Sequence, residues 1–341
     1  GSPSAVRIRG EEGFRTRAYI DGIDISDPSG IQMSPNFEHL MSAGINRLEI
    51  LRGPQGLMYG ADAGGVINID TLRATEGFTG SVEAEGGRYD SQRLAANVAG
   101  GSDKVNFAAT AADFSTAGFN ALQDDVTRDK DGYENTTLHG RLGLNITEDL
   151  RLEFVARDVD GEGEYDNCFN AVTFAVSNDC SNEYAQKAWR AGVSFQHGNL
   201  THELAYTNAE TDRQFFAAGA PSFGDGKGEL DRTSYIGTWN ATEKFDVVYG
   251  MDFRSDAFDN GSAERERDQQ GYYASQTLAG GRINSLIEDF GTSIEVVTEQ
   301  FLEDVSAVNA DEALLYTTNT DVSGPSGNIG AITTAGGAVT D

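Results

Sequence analysis

Histidine and cysteine, the residues most often used for catalysis and metal binding, are few in this sequence. The four histidines are scattered, at His39, His139, His197 and His202, and none stands in a recognisable nucleophile–base arrangement. Four His and two Cys also argue against a multi-ligand zinc or iron–sulfur site. We therefore expect no enzymatic activity and no catalytic residue.

One acidic segment has some metal-binding character. Residues 129–134 read DKDGYE, which is similar to the start of a calcium loop, but the full EF-hand pattern with its late bidentate Glu is missing. Most carboxylates in a chain of this kind form a solvated face. We expect no metal and no cofactor, with calcium in the acidic loops as the alternative.

The two cysteines, Cys168 and Cys180, lie within a polar stretch, residues 167–182. In a cytosolic enzyme such a pair could be redox-active or inert. In an acidic, loop-rich chain, a disulfide that closes one loop is the favoured interpretation. This interpretation predicts an oxidising compartment.

The charge balance excludes one class of partner. With 25 Lys+Arg against 54 Asp+Glu, the formal net charge is −29 at pH 7, so nucleic acid would be repelled over most of the surface. A hydrophobic content of 38% indicates a folded chain, not a disordered one. No apolar stretch approaches the roughly 18 residues of a membrane helix, and no signal peptide is recognisable.

The elements that must position these residues are β-strands. Apolar and polar residues alternate repeatedly in residues 80–255, which predicts about nine strands of roughly ten residues, each with one apolar and one polar face. For example, Leu142 and Leu144 share one face of a strand, and Arg141 lies on the other. We expect the fold to be mainly β.

Short turns and long loops alternate between these strands, the long loops being residues 112–134, 159–183 and 211–228. This pattern is typical of an antiparallel transmembrane β-barrel of the outer membrane, and a soluble β-sandwich or β-helix is the alternative. About nine strands form a partial barrel, an open curved sheet. Aromatic residues near strand ends are expected in interfacial girdles: Tyr133, Trp189, Tyr206, Tyr235, Trp239 and Tyr249.

A series of short motifs occupies the N-terminal part of the chain. Residues 19–23 read YIDGI, residues 45–56 read INRLEILRGPQG, and residues 59–69 read YGADAGGVINI. In content, order and approximate spacing they resemble the second half of the plug domain of TonB-dependent outer-membrane receptors. The loop at residues 27–37 and the QGL after RGP look most like the cobalamin-receptor branch. One residue fewer than is usual in the family separates YG from GGVINI.

The resemblance implies a small α/β plug that fills the lumen of a barrel. It implies that Asp27, Ser29, Gln32 and Met33 lie in an apical plug loop that touches ligand. The motif residues it assigns to the structure of the plug are Asp21, Gly22, Arg47, Glu49, Arg52, Gly53, Pro54, Tyr59, Gly60, Gly64, Gly65 and Asn68.

The charged residues of the RGP segment share one strand face, because Arg47 and Glu49 alternate along it. The family resemblance implies that these charges meet charged groups of the barrel wall. The wall candidates are Glu83, Glu85, Glu153 and Asp246. The alternative is that the charges of this strand only solvate a sheet edge.

The third part of the chain resembles the first half of a plug domain, with a strand at residues 294–297 and short helices beginning at Thr298 and near Ala310. The expected domains are thus residues 1–75 (plug, second half), 80–255 (partial barrel) and 265–341 (plug first half, in fused or permuted order). If the two halves meet, they could form one plug-like sheet.

The resemblance implies a receptor for active uptake of a scarce ligand, such as an iron chelate, cobalamin or an oligosaccharide, across the bacterial outer membrane. The expected partners are TonB, if a TonB box is present in the full gene, a small ligand and outer-membrane lipid; no box is recognisable in these residues. The alternatives are a passive porin-like or structural barrel and a secreted β-rich glycan-binding protein.

Overall fold

The computed structural model describes residues 4–30, 32–52, 64–74, 76–120, 122, 129–242 and 245–260, together with the backbone of three further strands at residues 264–275, 294–298 and 320–323. Its regular structure is almost entirely β. In the described part of the chain, no helix is long and apolar enough to cross a membrane.

The first unit, which we call the plug, is a mixed sheet with two short 3-10 helices. Strand β2 pairs in parallel with β5, and β5 pairs antiparallel with β4. The elements are β1 Ala5–Ile8, the 3-10 helix Gly13–Arg15, β2 Thr16–Ile20, β3 Ile23–Asp24, the 3-10 helix Phe37–His39, β4 Ile45–Arg52 and β5 Gly65–Thr71.

The second unit is one antiparallel sheet, which we call the wall. Its long strands are β6 Gly77–Gly86, β7 Gln92–Gly101, β8 Val105–Phe119, β9 Asp131–Asn145, β10 Leu150–Tyr165, β13 Cys180–His197, β14 Leu200–Ala217, β16 Gly226–Thr242, β17 Phe245–Asp259 and β18 Glu264–Ser275. Short strands lie in its loops: β11 Cys168–Phe169, β12 Val176–Ser177 and β15 Ala220–Pro221.

The wall is open, with β6 and β18 at its two edges and each long strand paired with the next one along the chain. The predicted fold, a partial antiparallel barrel with a plug-like unit, is therefore confirmed. Nine of the long strands lie between residues 77 and 259, and the tenth, β18, continues the sheet beyond the boundary expected at residue 255.

The strands are longer than the roughly ten residues predicted from sequence. Strands β13 and β14 each contain 18 residues, and the long loops are correspondingly shorter. The reason lies in the ends of these strands, where the outward face changes from apolar to acidic, as at Asp160 and Glu162 in the DVDGEGEY end of β10. Alternation of hydrophobicity therefore marks only the apolar part of each strand.

The two faces of the wall have different partners. One face packs on the plug, and wall residues Val155, Ala188, Ala209 and Leu230 join the core formed by the plug strands. The other face exposes large apolar side chains at alternate positions: Leu138, Leu142, Leu152, Phe154, Trp189, Phe195, Leu204, Tyr206, Trp239, Met251 and Phe253. We call these the inner and the outer face.

Two strands from the C-terminal part of the chain pair with the plug. Strand β19 Ile294–Thr298 pairs antiparallel with β4 at the edge of the plug sheet. Strand β20 Thr320–Ser323 pairs antiparallel with β1. The strand expected at residues 294–297 is thus present, whereas the two short helices expected after it lie outside the described residues.

Candidate functional site in the contact between plug and wall

The plug reaches the wall through a tight turn at Asp21 and Gly22, between β2 and β3. Both residues have positive φ, 46° and 83°, as a two-residue hairpin of type I′ requires, and Asp-Gly is a favoured sequence for this turn. A Cβ placed on Gly22 would lie 2.9 Å from Nε of Arg190 on the wall. Glycine is therefore required at this position for conformation and for space.

The carboxylate of Asp21 is fully buried and accepts hydrogen bonds from two wall residues. Arg141 Nη1 and His139 Nε2 each lie 2.9 Å from its oxygens, and Thr71 of the plug donates its backbone N–H at 3.1 Å. Burial alone would raise the pKa of Asp21, but these donors and the charge of Arg141 outweigh it and hold the pKa well below its usual range.

A second plug carboxylate, Asp24, follows two residues after the turn. Its Oδ2 lies 3.4 Å from Arg254 Nη1 of β17, and its Oδ1 accepts the backbone N–H of Ser26 at 3.0 Å. Burial would raise the pKa of Asp24, but Arg254 and Arg17 hold it below its usual range. This residue therefore stays ionised inside the contact.

The third plug carboxylate, Asp27, anchors the predicted apical loop. Its oxygens accept hydrogen bonds from the backbone N–H and hydroxyl of Ser29, at 2.8 and 2.5 Å, and from Asn36 at 2.6 Å. Arg213 of β14 lies 3.3 Å from the same carboxylate and donates to the carbonyl oxygen of Ser29, also at 3.3 Å.

Three of the four residues expected to touch ligand are buried against the wall. Asp27 is 2%, Ser29 1% and Met33 7% exposed, and Met33 lies under Arg254, whose Nη2 is 3.6 Å from the sulfur. Gln32 is half-buried. In this arrangement ligand reaches Asp27, Ser29 or Met33 only if the loop leaves the wall.

Two wall glycines allow the apical loop to approach so closely. A Cβ on Gly228 of β16 would lie 2.3 Å from the carbonyl carbon of Pro28, and one on Gly226 would lie 2.2 Å from the carbonyl oxygen of Ser29. Sequence reasoning missed both residues. Their spacing of two was the available signal, because it places both on one face of a strand.

The wall arginines that face the plug form an ordered set. In the register of the sheet, Arg141, Val155, Arg190, Thr207, Arg232 and Arg254 are successive partners across six neighbouring strands. We call Arg141, Arg190, Arg232 and Arg254 the arginine row. All four are buried, with at most 9% of their surface exposed.

Wall carboxylates share these guanidinium groups with the plug. Glu153 lies 2.5 Å from Arg141 and 3.1 Å from Arg190, which also contacts Glu203 at 2.6 Å. Arg232 donates its Nε–H to Asp252 at 2.8 Å and lies over the ring of Tyr19, 5.1 Å from its centroid. Arginine suits such sites because its planar fork binds carboxylates and stacks on aromatic rings.

The predicted ion pairs between the RGP segment and the wall are wrong for three of the four wall candidates. Glu83 and Glu85 pair with Arg93 of the wall, and Glu153 pairs with wall arginines as described. The polarity of the contact is reversed, because the plug contributes carboxylates and the wall contributes arginines. The sequence contained the signal, since Arg141 and Arg190 stand on polar strand faces.

Within the plug motif, Arg47 pairs with Glu49 of its own strand. Gly65 begins β5 and allows close packing, since a Cβ there would lie 2.5 Å from a methyl carbon of Ile8. Gly64 lies directly before this strand, and Asn68, in the middle of β5, is half-buried. Four motif residues lie outside the described part of the chain: Gly53, Pro54, Tyr59 and Gly60.

A buried histidine forms a further contact between the two units. The ring of His39 stacks on Tyr184 at 4.0 Å between centroids, and its Nδ1 lies 2.9 Å from the hydroxyl of Tyr133. Tyr133 donates in turn to the carbonyl oxygen of Glu38 at 3.0 Å. Burial, with a smaller contribution from Arg213, lowers the pKa of His39 to about 3.

The expectation that Tyr133 stands in an outer girdle is therefore wrong. Its side chain is 4% exposed and faces the plug, because it lies on the same strand face as His139 and Arg141. Trp189, Tyr206 and Trp239 do project from the outer face of the wall.

The two cysteines lie at the start of two strands, Cys168 in β11, within the loop after β10, and Cys180 in β13. The structure joins Cys168 and Cys180 in a disulfide with Cα atoms 6.0 Å apart, and both pack against Ala217. Among the described residues, no group of three or more His, Cys, Asp or Glu is arranged to hold a metal ion.

Comparison with known proteins matches the plug and the wall to one group of proteins. The family described as TonB-dependent Receptor Plug Domain matches residues 1–67. The vitamin B12 transporter BtuB of Photobacterium profundum is 27% identical over 280 residues, which are 80% of this chain and 44% of that protein. BtuB of Vibrio vulnificus strain YJ016 is 23% identical over 77% of this chain and 42% of its own length. The chain thus spans less than half the length of these relatives.

Solved structures share the fold. The siderophore receptor PirA from Pseudomonas aeruginosa has a TM-score of 0.58 at 20% identity, over 80% of this chain and 47% of that chain. The ferric enterobactin receptor PfeA from the same organism, solved as a mutant, has a TM-score of 0.57 at 16% identity, over 84% of this chain and 46% of its own.

Proposed function

We propose, from the now confirmed resemblance to TonB-dependent receptors near the cobalamin-receptor branch, that this chain forms the plug and part of the barrel wall of an outer-membrane receptor for active uptake of a scarce ligand. The observation that carries the proposal is the docking of the plug on the inner face of the wall through three buried carboxylates. A passive porin does not need a plug bound to the inner face of its wall.

The two faces of the wall support a position in the outer membrane. Large apolar side chains occupy alternate outward positions, which is the arrangement that a lipid-facing barrel surface requires. The inward positions carry the buried polar network that holds the plug. A soluble glycan-binding protein would have no reason to expose so continuous an apolar face.

The ligand class is supported by relatives that are named for vitamin B12 transport and by fold neighbours named as siderophore receptors. We propose a cobalamin-like compound or an iron chelate, with TonB as the source of energy. Of the residues expected in the apical loop, Gln32 is the one that a ligand can reach without moving the loop. The proposed uptake requires no enzymatic chemistry.

The test is uptake by the gene product that contains these 341 residues, expressed in a Gram-negative host without its own cobalamin and siderophore receptors. We expect radiolabelled cyanocobalamin or a ⁵⁵Fe chelate to accumulate, and the accumulation to be lost when the host lacks TonB. Uptake that persists without TonB would indicate a passive barrel instead. Recovery of the protein in the soluble fraction without detergent would support the glycan-binding alternative.

A further inference from the structure

One buried arginine of the inner face has no counter-charge in the protein. Arg157 of β10 is 6% exposed, so it is as deeply buried as the members of the arginine row. Each member of the row forms an ion pair with at least one carboxylate. Arg157 forms no ion pair and donates no hydrogen bond to any residue that the structure describes, and its Nε has no accessible surface. A buried cation whose N–H groups all lack an acceptor is rare in folded proteins and requires an explanation.

The surroundings of Arg157 are apolar. Val155 and Val159, its neighbours on the same face of β10, are 0% and 1% exposed. Ala188, its register partner on β13, belongs with Val155 to the core that plug and wall share. A guanidinium group in such surroundings has lost its hydration, and this cost is large unless an opposite charge compensates for it.

The nearby carboxylates already bind other cations. Asp21 acts electrostatically on Arg157 but does not reach ion-pair distance, and its oxygens accept hydrogen bonds from Arg141 and His139. Glu153, on the same strand as Arg157, pairs with two members of the arginine row. The protein therefore supplies no carboxylate that Arg157 could take as its own partner.

A second buried donor lies close to this guanidinium. Tyr184 of β13 is 4% exposed and interacts electrostatically with Arg157. Its ring stacks on His39 of the plug, and its hydroxyl has no hydrogen-bond partner among the described residues. His139, the register partner of Arg157 on β9, likewise leaves Nδ1 without a partner, and a protonated imidazole donates from that atom. Donors that converge without an acceptor are the groups that bind an anion.

We propose that Arg157 and Tyr184 bind one small inorganic anion, of the size of chloride, which is a resident component of the contact between plug and wall. Its negative charge compensates the buried guanidinium, and the Tyr184 hydroxyl donates a hydrogen bond to it. The ion must be small, because so little of Arg157 is accessible. The inference goes beyond the proposed function and does not depend on which ligand the receptor takes up.

The ion belongs to the docked state of the plug. Asp21 and His39 of the plug contact the immediate neighbours of the site, His139 and Tyr184. When the plug leaves the wall, water can hydrate Arg157, and the need for a counter-ion disappears. An anion that binds only the docked, folded state stabilises that state by mass action. A water molecule could accept the same hydrogen bonds, but stability would then not depend on the anion.

The test is urea unfolding of the full chain in a neutral detergent. Sodium chloride replaces sodium gluconate stepwise at constant ionic strength, because gluconate is too large for the site. We expect the equilibrium constant for folding to rise about tenfold when chloride reaches roughly ten times its Kd. An equilibrium constant that is the same in both salts would show that only water contacts Arg157, and would overturn the inference.

Variants show whether the effect arises at this site. Arg157→Met keeps the length of the side chain without its charge and should abolish the dependence on chloride. Tyr184→Phe keeps the ring on His39, serves as the second variant if Arg157→Met does not fold, and should weaken chloride binding about tenfold. The matched control is Arg93→Met, at an inner-face arginine that pairs with two wall glutamates, and it should respond as the wild-type protein does. Equal responses of all these proteins would indicate a general salt effect and would overturn the inference.

Bromide locates the ion directly. In crystals of the full chain grown in sodium bromide, we expect an anomalous peak in contact with the guanidinium of Arg157, and no such peak in Arg157→Met. Peaks confined to exposed side chains would show an adventitious ion only, and would overturn the inference. The uptake experiment tests the proposed function separately, since neither salt dependence nor a bromide peak bears on TonB-dependent accumulation.

Discussion

At the level of single residues, the contact between plug and wall depends on groups that are charged and fully buried. Asp21 shows why this arrangement is stable. Its carboxylate has no exposed surface and receives hydrogen bonds from Arg141, His139 and Thr71. A buried charge with a complete set of donors is tolerated, whereas the same charge with one donor missing is not.

We predict that Asp21→Asn lowers the free energy of unfolding by about 3 kcal/mol, because it removes the negative charge of Asp21 beside Arg141 and replaces one of the two acceptor oxygens that serve Arg141 and His139 with an NH2 group. The measurement is denaturant unfolding of the detergent-solubilised chain, followed by tryptophan fluorescence. Asp231→Asn, whose carboxylate lies on the outer face, is the control and should change the same quantity by less than about 1 kcal/mol. Equal effects of the two substitutions would contradict the assigned role of Asp21.

His39 makes the contact sensitive to acid. In the folded protein its pKa is lowered to about 3, whereas an unfolded histidine titrates near pH 6.5. Between these values the unfolded chain binds a proton that the folded chain does not, so the free energy of unfolding decreases as the pH falls, by about 1 kcal/mol per pH unit. Asp21 and Asp24, whose pKa values are lowered, keep their contribution above the pKa of an unfolded Asp and lose it only as the pH falls toward their folded values.

We therefore predict that His39→Gln flattens the pH dependence of stability between pH 6.5 and pH 4. The measurement is the denaturation midpoint of both proteins at intervals of half a pH unit. His202→Gln is the control, since that histidine bonds Tyr235 within the wall and does not contact the plug. Parallel pH profiles for the wild-type protein and His39→Gln would show that another group titrates in this range.

At the level of elements, two glycines with positive φ, Gly22 and Gly198, allow the cost of backbone strain to be measured apart from the cost of steric overlap. Gly22 lies in the turn between β2 and β3. Gly22→Ala encounters both, because φ is 83° and Arg190 lies 2.9 Å from the added Cβ. Gly198→Ala, in the turn between β13 and β14, has a φ of 60° and nothing within 4 Å of the added Cβ. We expect a cost of about 1 kcal/mol at Gly198 and at least about 2 kcal/mol more at Gly22, where the guanidinium must move. Similar losses in denaturant unfolding at both positions would mean that Arg190 adjusts freely.

The strands could be predicted from the sequence, but their lengths and their partners could not. Alternation located β9, β10, β13 and β17 because each carries large apolar side chains at alternate positions of its outer face. It stopped short where the outward face becomes acidic, as at the DVDGEGEY end of β10. Which carboxylate meets which arginine depends on the register, and nothing local fixes how Arg141 aligns with Arg190 two strands away.

The candidate site also has some features that could be predicted from the sequence and others that could not. Although the type I′ turn at Asp21 and Gly22 was not predicted, both residues and Gly65 were recognisable from the family resemblance. The roles of Arg213 and Arg254 were not, because they arise only when the apical loop is placed on strands that lie far away in sequence. The sequence did not show that His39 is buried, because its partners Tyr133 and Tyr184 belong to the wall and lie far away in sequence.

At the level of the whole molecule, the wall has an apolar surface that faces away from the plug. Phe154 is 46% exposed there and stacks beside Trp189. We predict that Phe154→Arg reduces stability in lipid by about 2–4 kcal/mol if the residue lies near the bilayer midplane. Asp160→Arg, on the same strand and face but in its polar end, should cost less than about 1 kcal/mol. The measurement is equilibrium folding into lipid vesicles, and equal tolerance of both substitutions would contradict the assignment of this face to lipid.

The plug is completed from both ends of the chain, because β19 pairs with β4 and β20 pairs with β1. In an antiparallel pair, alternate residues of β4 direct their N–H groups to β19, and the remaining ones direct them to β5. We predict that truncation after Ser275 exposes alternate amides of β4, so that these exchange about tenfold faster while the amides of β5, which lies between β4 and β2, do not. Hydrogen exchange of the full and truncated chains measures this directly. If β4 is equally protected in both, its edge is covered by something other than β19, and the C-terminal part of the chain is not a component of the plug.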